Sequence, residues 1–211
     1  MKVTLTFDNG PSSGTTETVL DALSARDLKA TFFVVGNQLR KPGARALAER
    51  VVAEGHWIGN HTMTHSVPLG DGADPMEEIA ATQDLIGDLA HDARWFRPIG
   101  RGGILDDRLL SDDAVAHLRQ GGYTCVVWNC VPRDWEGPEV WIDRALADVR
   151  SNEWTVVVLH DLPTGAMAAL PRFLDELEAI GAEIVQEFPD SCVLIRDGEV
   201  VGDLSRLVAA T

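Results

Sequence analysis

The chain has 211 residues, is 45% apolar and 24% charged, and carries a formal net charge of −15. That length supports one domain, residues 1–211, with a sizeable core, and the composition excludes a disordered chain. The charge excludes nucleic acid and anionic membrane as partners, since both demand clustered Lys and Arg.

Short apolar runs alternate with longer amphipathic segments along the whole sequence. In chain order the pattern predicts strand 2–8, helix 15–25, strand 29–35, helix 41–54, strand 56–60 and helix 74–90. It continues with strand 93–97, helix 109–120, strand 123–129, helix 138–151, strand 154–160 and helix 165–180. Strands 182–186 and 192–196 and a last helix at 202–209 close the chain. Thr15 or Thr16 and Asp74 suit helix N-caps, with Glu17, Glu77 and Glu78 near the helix starts. Alternation of this kind predicts parallel strands wrapped by helices. No apolar run approaches the roughly 20 residues of a membrane span. No basic-then-apolar leader precedes Lys2, so a cytoplasmic location is expected. Cys125, Cys130 and Cys192 lack any CxxC spacing and read as buried free thiols in a reducing compartment.

Polar motifs follow several of the predicted strands. Asp8, Asn9 and Gly10 end the apolar run Val3–Phe7. Asp8 there is either the closure of an Asx-type turn or a general base that takes a proton from water. His61 and His65 are four residues apart, which puts both rings on one side if residues 61–65 form a helical turn, and two neutral imidazoles suit Zn²⁺ or a similar divalent ion. Thr62 and Thr64 would orient the rings or cap the turn, and Met63 would pack inward. Arg97-Pro98-Ile99-Gly100 follows a short strand, where Arg97 either faces solvent or pairs with a carboxylate. Arg101 offers a further substrate contact. In the segment Trp128–Trp135, Asp134 could orient an imidazole, and Trp135 could line a pocket or stack on a sugar face. His160 ends a fully apolar strand and suits a general acid, with Leu159 facing into the same pocket. Side chains from that many strand tips converge more readily in a closed or partly closed barrel than in an open doubly wound sheet.

Taken in order, these motifs resemble those of the polysaccharide deacetylases with the NodB homology domain, carbohydrate esterase family four. Thr6–Gly10 is similar to the family's Thr-Phe-Asp-Asp-Gly with Asn9 in place of the second Asp, and His61–His65 matches its His-Ser/Thr-x-x-His. Arg97-Pro98, Asp134-Trp135 and Leu159-His160 match its later motifs, Ile99-Gly100 being shorter than the usual ending. The resemblance covers about residues 2–187. It implies an α/β fold of the distorted (β/α)7-type barrel and hydrolysis of N-acetyl groups on amino sugars. It further implies Asp8 as base, His160 as acid, Arg97 tuning Asp8 and Asp134 tuning His160. A divalent metal, Zn²⁺ first, would be held by His61, His65 and Asn9. A backbone N–H of Ile99 or Gly100 would face the oxyanion, and Trp135 and Leu159 would enclose the acyl methyl.

Asn9 replaces a charged ligand with a neutral amide, which weakens attraction to a divalent cation. Three functions therefore stay open. One is a metal-assisted deacetylase of an oligosaccharide. Another is a cytosolic amidase or imidase acting on a small molecule without metal. The third is a carbohydrate-binding barrel without turnover.

Overall fold

Strands and helices alternate through most of the chain in the computed structural model, which describes residues 1–138 and 140–210. The first half contains β1 (Lys2–Asp8), α1 (Thr15–Ser24), β2 (Thr31–Val34), the short α2 (Gly36–Leu39), α3 (Ala44–Ala53), β3 (Trp57–Asn60), α4 (Ala81–Ile86) and β4 (Trp95–Phe96). The second half contains α5 (Asp112–Gln120), β5 (Thr124–Val126), α6 (Val140–Ser151), β6 (Trp154–His160), α7 (Leu170–Ala179), β7 (Glu183–Val185), β8 (Val193–Arg196) and β9 (Glu199–Val200).

The sheet runs β6-β1-β2-β3-β4-β5-β8-β9. Its first six strands are parallel, and β8 and β9 join antiparallel. β6 pairs with β1 over its whole length, from Lys2↔Trp154 to Asp8↔His160. The other edge of β1 is shared, with β7 on Lys2–Thr4 and β2 on Thr6–Asp8. Beyond β5 the chain bends back to β6 at Cys130, whose N–H donates to the Val156 carbonyl at 3.2 Å and whose carbonyl accepts from Val158 N–H at 3.0 Å. That contact curls the sheet into the expected distorted barrel.

The two-residue period of β1 sorts its side chains. Val3, Leu5 and Phe7 join the outer core beneath the helices, with Leu20, Leu23, Trp141 and Phe173. Thr4, Thr6 and Asp8 lie on the opposite face, and β6 does the same with Val157 and Leu159 outward. A second core of Phe33, Val126, Val156, Val158 and Phe188 fills the barrel.

Several predicted elements change. Residues 202–209 form no helix. Leu110 N–H donates to the Leu207 carbonyl and Ala209 N–H to that of Leu110, so after a turn at 205–207 the tail pairs backbone groups that no ladder satisfies. Eight residues make a marginal isolated helix, and this pairing wins. The same bridge holds Leu109 and Leu110 out of α5, which starts behind Ser111, whose hydroxyl accepts from Ala114 N–H at 3.2 Å. The predicted helix 74–90 divides into a π-turn (Met76–Ala80), α4 and a 3₁₀ turn (Gly87–Leu89). Thr82 Oγ1 donates to the Glu78 carbonyl at that junction, a bond that competes with the helical ladder. Asp74 caps as expected, accepting from Met76 N–H at 2.8 Å. At α1 the cap is Gly14 rather than Thr15 or Thr16, with Glu17 accepting from Gly14 N–H at 2.6 Å. The predicted helix 138–151 is found from Val140, and Glu139 lies outside the described residues. Among the described residues no helix is long and apolar enough to cross a membrane. The three cysteines are buried and free, as expected.

Candidate active site

The C-terminal tips of β1, β3 and β6, with the loops after β4 and β5, enclose a cavity of about 250 Å³. Asp8, Asn9, His61, His65, Gly100, Trp135 and His160 all line it.

One wall is built from two acid–cation pairs. Asp8 is 3% exposed, and its Oδ1 accepts from Arg97 Nη1 at 2.9 Å. The same nitrogen donates to Thr6 Oγ1 at 2.6 Å, so Arg97 reads β1 at two inward positions. Its guanidinium is fully buried and lies 4.1 Å from the Phe33 ring centroid. On the adjacent strand β6, the His160 ring donates to Asp134 at 2.7 Å and the His160 backbone N–H donates to it at 2.9 Å. Because a carboxylate only accepts, the proton sits on Nδ1 and the other ring nitrogen faces the cavity. Burial acts to lower the His160 pKa, but the Asp134 hydrogen bond and charge prevail and raise it above its ordinary value. Trp135 meets this ring edge-on, with centroids 5.1 Å apart.

The adjoining wall is built from neutral groups. His61 Nδ1 lies 2.8 Å from the Arg97 carbonyl, which fixes the proton there and leaves Nε2 bare. Burial pushes His61 down to about 3, and burial with the neighbouring His61 takes His65 to about 3, so both rings are neutral. His61 Nε2 faces Asp8 Oδ2 at 3.4 Å, two acceptors with no proton between them. The His61 and His65 ring centroids are 4.7 Å apart. Asn9 is held at φ +75°, a region Asn tolerates, and its buried Oδ1 has no hydrogen-bond partner. The unpartnered lone pairs of His61 Nε2 and Asn9 Oδ1 suit a cation. The donor set fits a divalent metal in type, two imidazoles and an amide oxygen, although it lacks a charged ligand. Among the described residues no cluster of three or more His, Cys, Asp or Glu side chains could hold a metal.

A polysaccharide deacetylase family model matches residues 1–126. The chain belongs to the polysaccharide deacetylase family. It is 33% identical over 203 residues to a chitooligosaccharide deacetylase of Sinorhizobium fredii, spanning 92% of this chain and 88% of that protein. It is 30% identical over 191 residues to a peptidoglycan-N-acetylglucosamine deacetylase of Bacillus cereus, spanning 87% and 84%. Among solved structures, a family 4 acetyl xylan esterase from Clostridium thermocellum in complex with a cobalt ion superposes with a TM-score of 0.69 at 29% identity, over 88% of this chain and 87% of that one.

Within this deacetylase fold, several site residues differ from their expected placement. Residues 61–65 are not a helical turn, since Thr62 and His65 have φ of +67° and +51°. The rings still meet because the loop folds back on itself, and Met63 packs inward as expected. Leu159 does not face the pocket. It is fully buried in the outer core beside Phe7, because side chains alternate along β6 and His160 points inward. Val158 and Leu162 line the cavity instead. Of the two residues expected to offer a backbone N–H, Gly100 lines the cavity, where a Cβ would sit 2.3 Å from Trp128 Cζ2, and Ile99 does not. Arg101 turns outward toward Asp71 at 3.5 Å and lies outside the lining.

Two buried acids had no assigned role. Asp161 accepts from Thr16 Oγ1 at 2.5 Å, its Oδ1 has no partner, and burial pushes it up to about 6. Its position directly after His160 was the available signal. Glu78 lies against the His61–His65 loop, and no local pattern announces that contact.

Proposed function

We propose that this protein hydrolyses the N-acetyl amide of an acetylated amino-sugar substrate, releasing acetate and the free amine. The two acid–cation pairs facing one cavity, Asp8 with Arg97 and His160 with Asp134, carry this reading. Asp8 takes a proton from water as the water oxygen bonds to the acyl carbon. Arg97 holds that carboxylate in place. His160, kept protonated by Asp134, gives its proton to the amine as the C–N bond breaks. The Gly100 segment offers a backbone N–H toward the carbonyl oxygen. The acyl methyl packs among Trp135, Val158 and Leu162.

His61, His65 and Asn9 would hold a divalent ion, Zn²⁺ by preference, which when bound polarises the acyl carbonyl and acidifies water. The amide of Asn9 favours a second reading, a small-molecule amide hydrolase that works without metal. The chitooligosaccharide and peptidoglycan relatives favour an oligosaccharide substrate, and the three buried free thiols suit a cytoplasmic location. Acetate release from N-acetylated chitooligosaccharides, measured with and without chelator, tests the proposal. Release that the chelator abolishes and metal restores is expected. Release untouched by chelator keeps the deacetylase but removes the metal from it, and no release by metal-loaded protein refutes the proposal.

A further inference from the structure

The loop that carries the two histidines has no secondary structure to satisfy its backbone, and side chains do so instead. Thr62 N–H donates to Asn60 Oδ1 at 3.0 Å, and His65 N–H donates to Thr62 Oγ1 at 3.2 Å. The two N–H groups between them, from Met63 and Thr64, both donate to Glu78 Oε2 at 2.9 Å. Thr64 Oγ1 donates to the other oxygen, Oε1, at 2.6 Å. The loop carbonyls are gripped from the far side, where Gly36 N–H meets the Thr62 oxygen at 3.0 Å and Asn37 N–H the Met63 oxygen at 2.9 Å. A Cβ at Gly36 would lie 2.4 Å from Met63 Sδ, so the loop sits tightly on α2.

Glu78 is 7% exposed and comes from the π-turn Met76–Ala80. The next residue of that turn is tied to β3, since Asn60 Nδ2 donates to the Ile79 carbonyl at 2.9 Å. One carboxylate oxygen thus accepts from two consecutive backbone N–H groups, a role set by where the oxygen lies. Without it, the buried Met63 N–H and the part-buried Thr64 N–H would lose their partner. The widened turn presents Glu78 at the midpoint between His61 and His65 in the sequence.

We propose that Glu78 is a positioning residue for the two-histidine site, fixing the separation of the imidazoles through the Met63 and Thr64 amides. It touches neither substrate nor the reacting atoms. This inference rests on the reading that His61 and His65 hold a divalent ion. What Glu78 supplies is oxygen at a fixed reach rather than negative charge. Gln retains that reach and one acceptor oxygen, its amide nitrogen donating to Thr64 Oγ1 while the threonine proton turns to Ser66 Oγ, 2.6 Å away. Asp retains the charge but is one methylene short.

The test is Co²⁺ titration of the purified full chain and its Glu78→Gln, Glu78→Asp and Glu78→Ala variants, followed by calorimetry and by visible absorption of the bound ion. Glu78→Gln is expected to bind within about threefold of the wild type with the same spectrum. Glu78→Asp and Glu78→Ala should bind on the order of 10–100-fold more weakly, with an altered spectrum. Should Glu78→Ala fail to fold, the Gln and Asp variants decide. Wild-type binding in the Asp variant with loss in the Gln variant would show that charge matters and overturn the proposal. Equal affinity and spectra in all variants would overturn it too. A wild-type chain that binds no Co²⁺ refutes the metal reading, and this inference with it.

Discussion

The two walls of the cavity solve the problem of buried polar groups in opposite ways. On the Asp8 and His160 wall each carboxylate meets a cation, and three of the four side chains extend from or directly follow a strand tip. On the Asn9, His61 and His65 wall the groups are neutral, two of them on a loop whose N–H groups are tied by side chains. The first wall is electrostatically complete as it stands. The second is organised but lacks a charged ligand, and it is there that the chain departs from its family's motif. Under the proposed function, acid–base chemistry falls to the wall the barrel fixes and ion binding to the wall the loop fixes.

The largest effect is expected on the complete wall. Asp8→Ala or His160→Ala should lower kcat for acetate release by about 10²–10⁴-fold, the usual worth of a positioned acid or base. Activity near wild type in either variant would remove that wall from the chemistry. Asp134→Asn should act more gently and change the pH profile. His160 serves as an acid only while protonated, so its contribution is present below its pKa and lost above it. Asp134 raises that pKa against the effect of burial. Removing the charge leaves burial opposed only by the more distant Asp8 and Asp161 charges, and the basic limb of kcat/KM should move toward lower pH. An unmoved basic limb would assign that limb to another group.

The contrast between the walls also describes what could be read from the sequence. Asp8, Arg97, Asp134 and His160 were legible because each stands at or near the end of an apolar run, and strand tips converge in a barrel. The partners, Arg97 for Asp8 and Asp134 for His160, come from the family resemblance rather than from that convergence. The loop 61–65 was legible in its residues but not its shape. A spacing of four suggests a helical turn, whereas Thr62 and His65 adopt positive φ because Asn60 and Glu78 satisfy the N–H groups that a helix would use. The partner that settles the matter, Glu78, comes from a separate element. The tail at 202–209 failed for the same reason, since its pairing partner Leu110 is about a hundred residues away.

The incomplete wall can be altered at one position. Asn9→Asp adds a charged oxygen beside two neutral imidazoles. Co²⁺ or Zn²⁺ affinity, measured by calorimetry, should rise about tenfold or more, since a full negative charge joins the donor set. The gain should be largest at low salt if Asn9 is not a ligand and only acts at a distance, and insensitive to salt if it coordinates. Unchanged affinity would mean that Asn9 lies outside the ion's reach and that its unpartnered oxygen has another cause.

The smallest effect on turnover is expected where the two faces of β6 part. Leu159 and Leu162 are three residues apart, yet the first lies in the outer core and the second lines the cavity. Leu159→Ala should cost about 2–5 kcal/mol of stability, the range for a buried leucine, and lower Tm by on the order of 10 °C. Its KM should not change, because no part of the side chain reaches the substrate. Leu162→Ala should do the reverse, with little change in Tm and a KM raised several-fold, corresponding to about 1 kcal/mol of lost apolar contact. Thermal denaturation and steady-state kinetics on the two variants separate the cases. A raised KM with unchanged Tm in Leu159→Ala would return that side chain to the pocket, and would require β6 to be shifted by one residue against β1. Such a slip would also turn His160 away from Asp134, so it would undo the acid as well as the pocket.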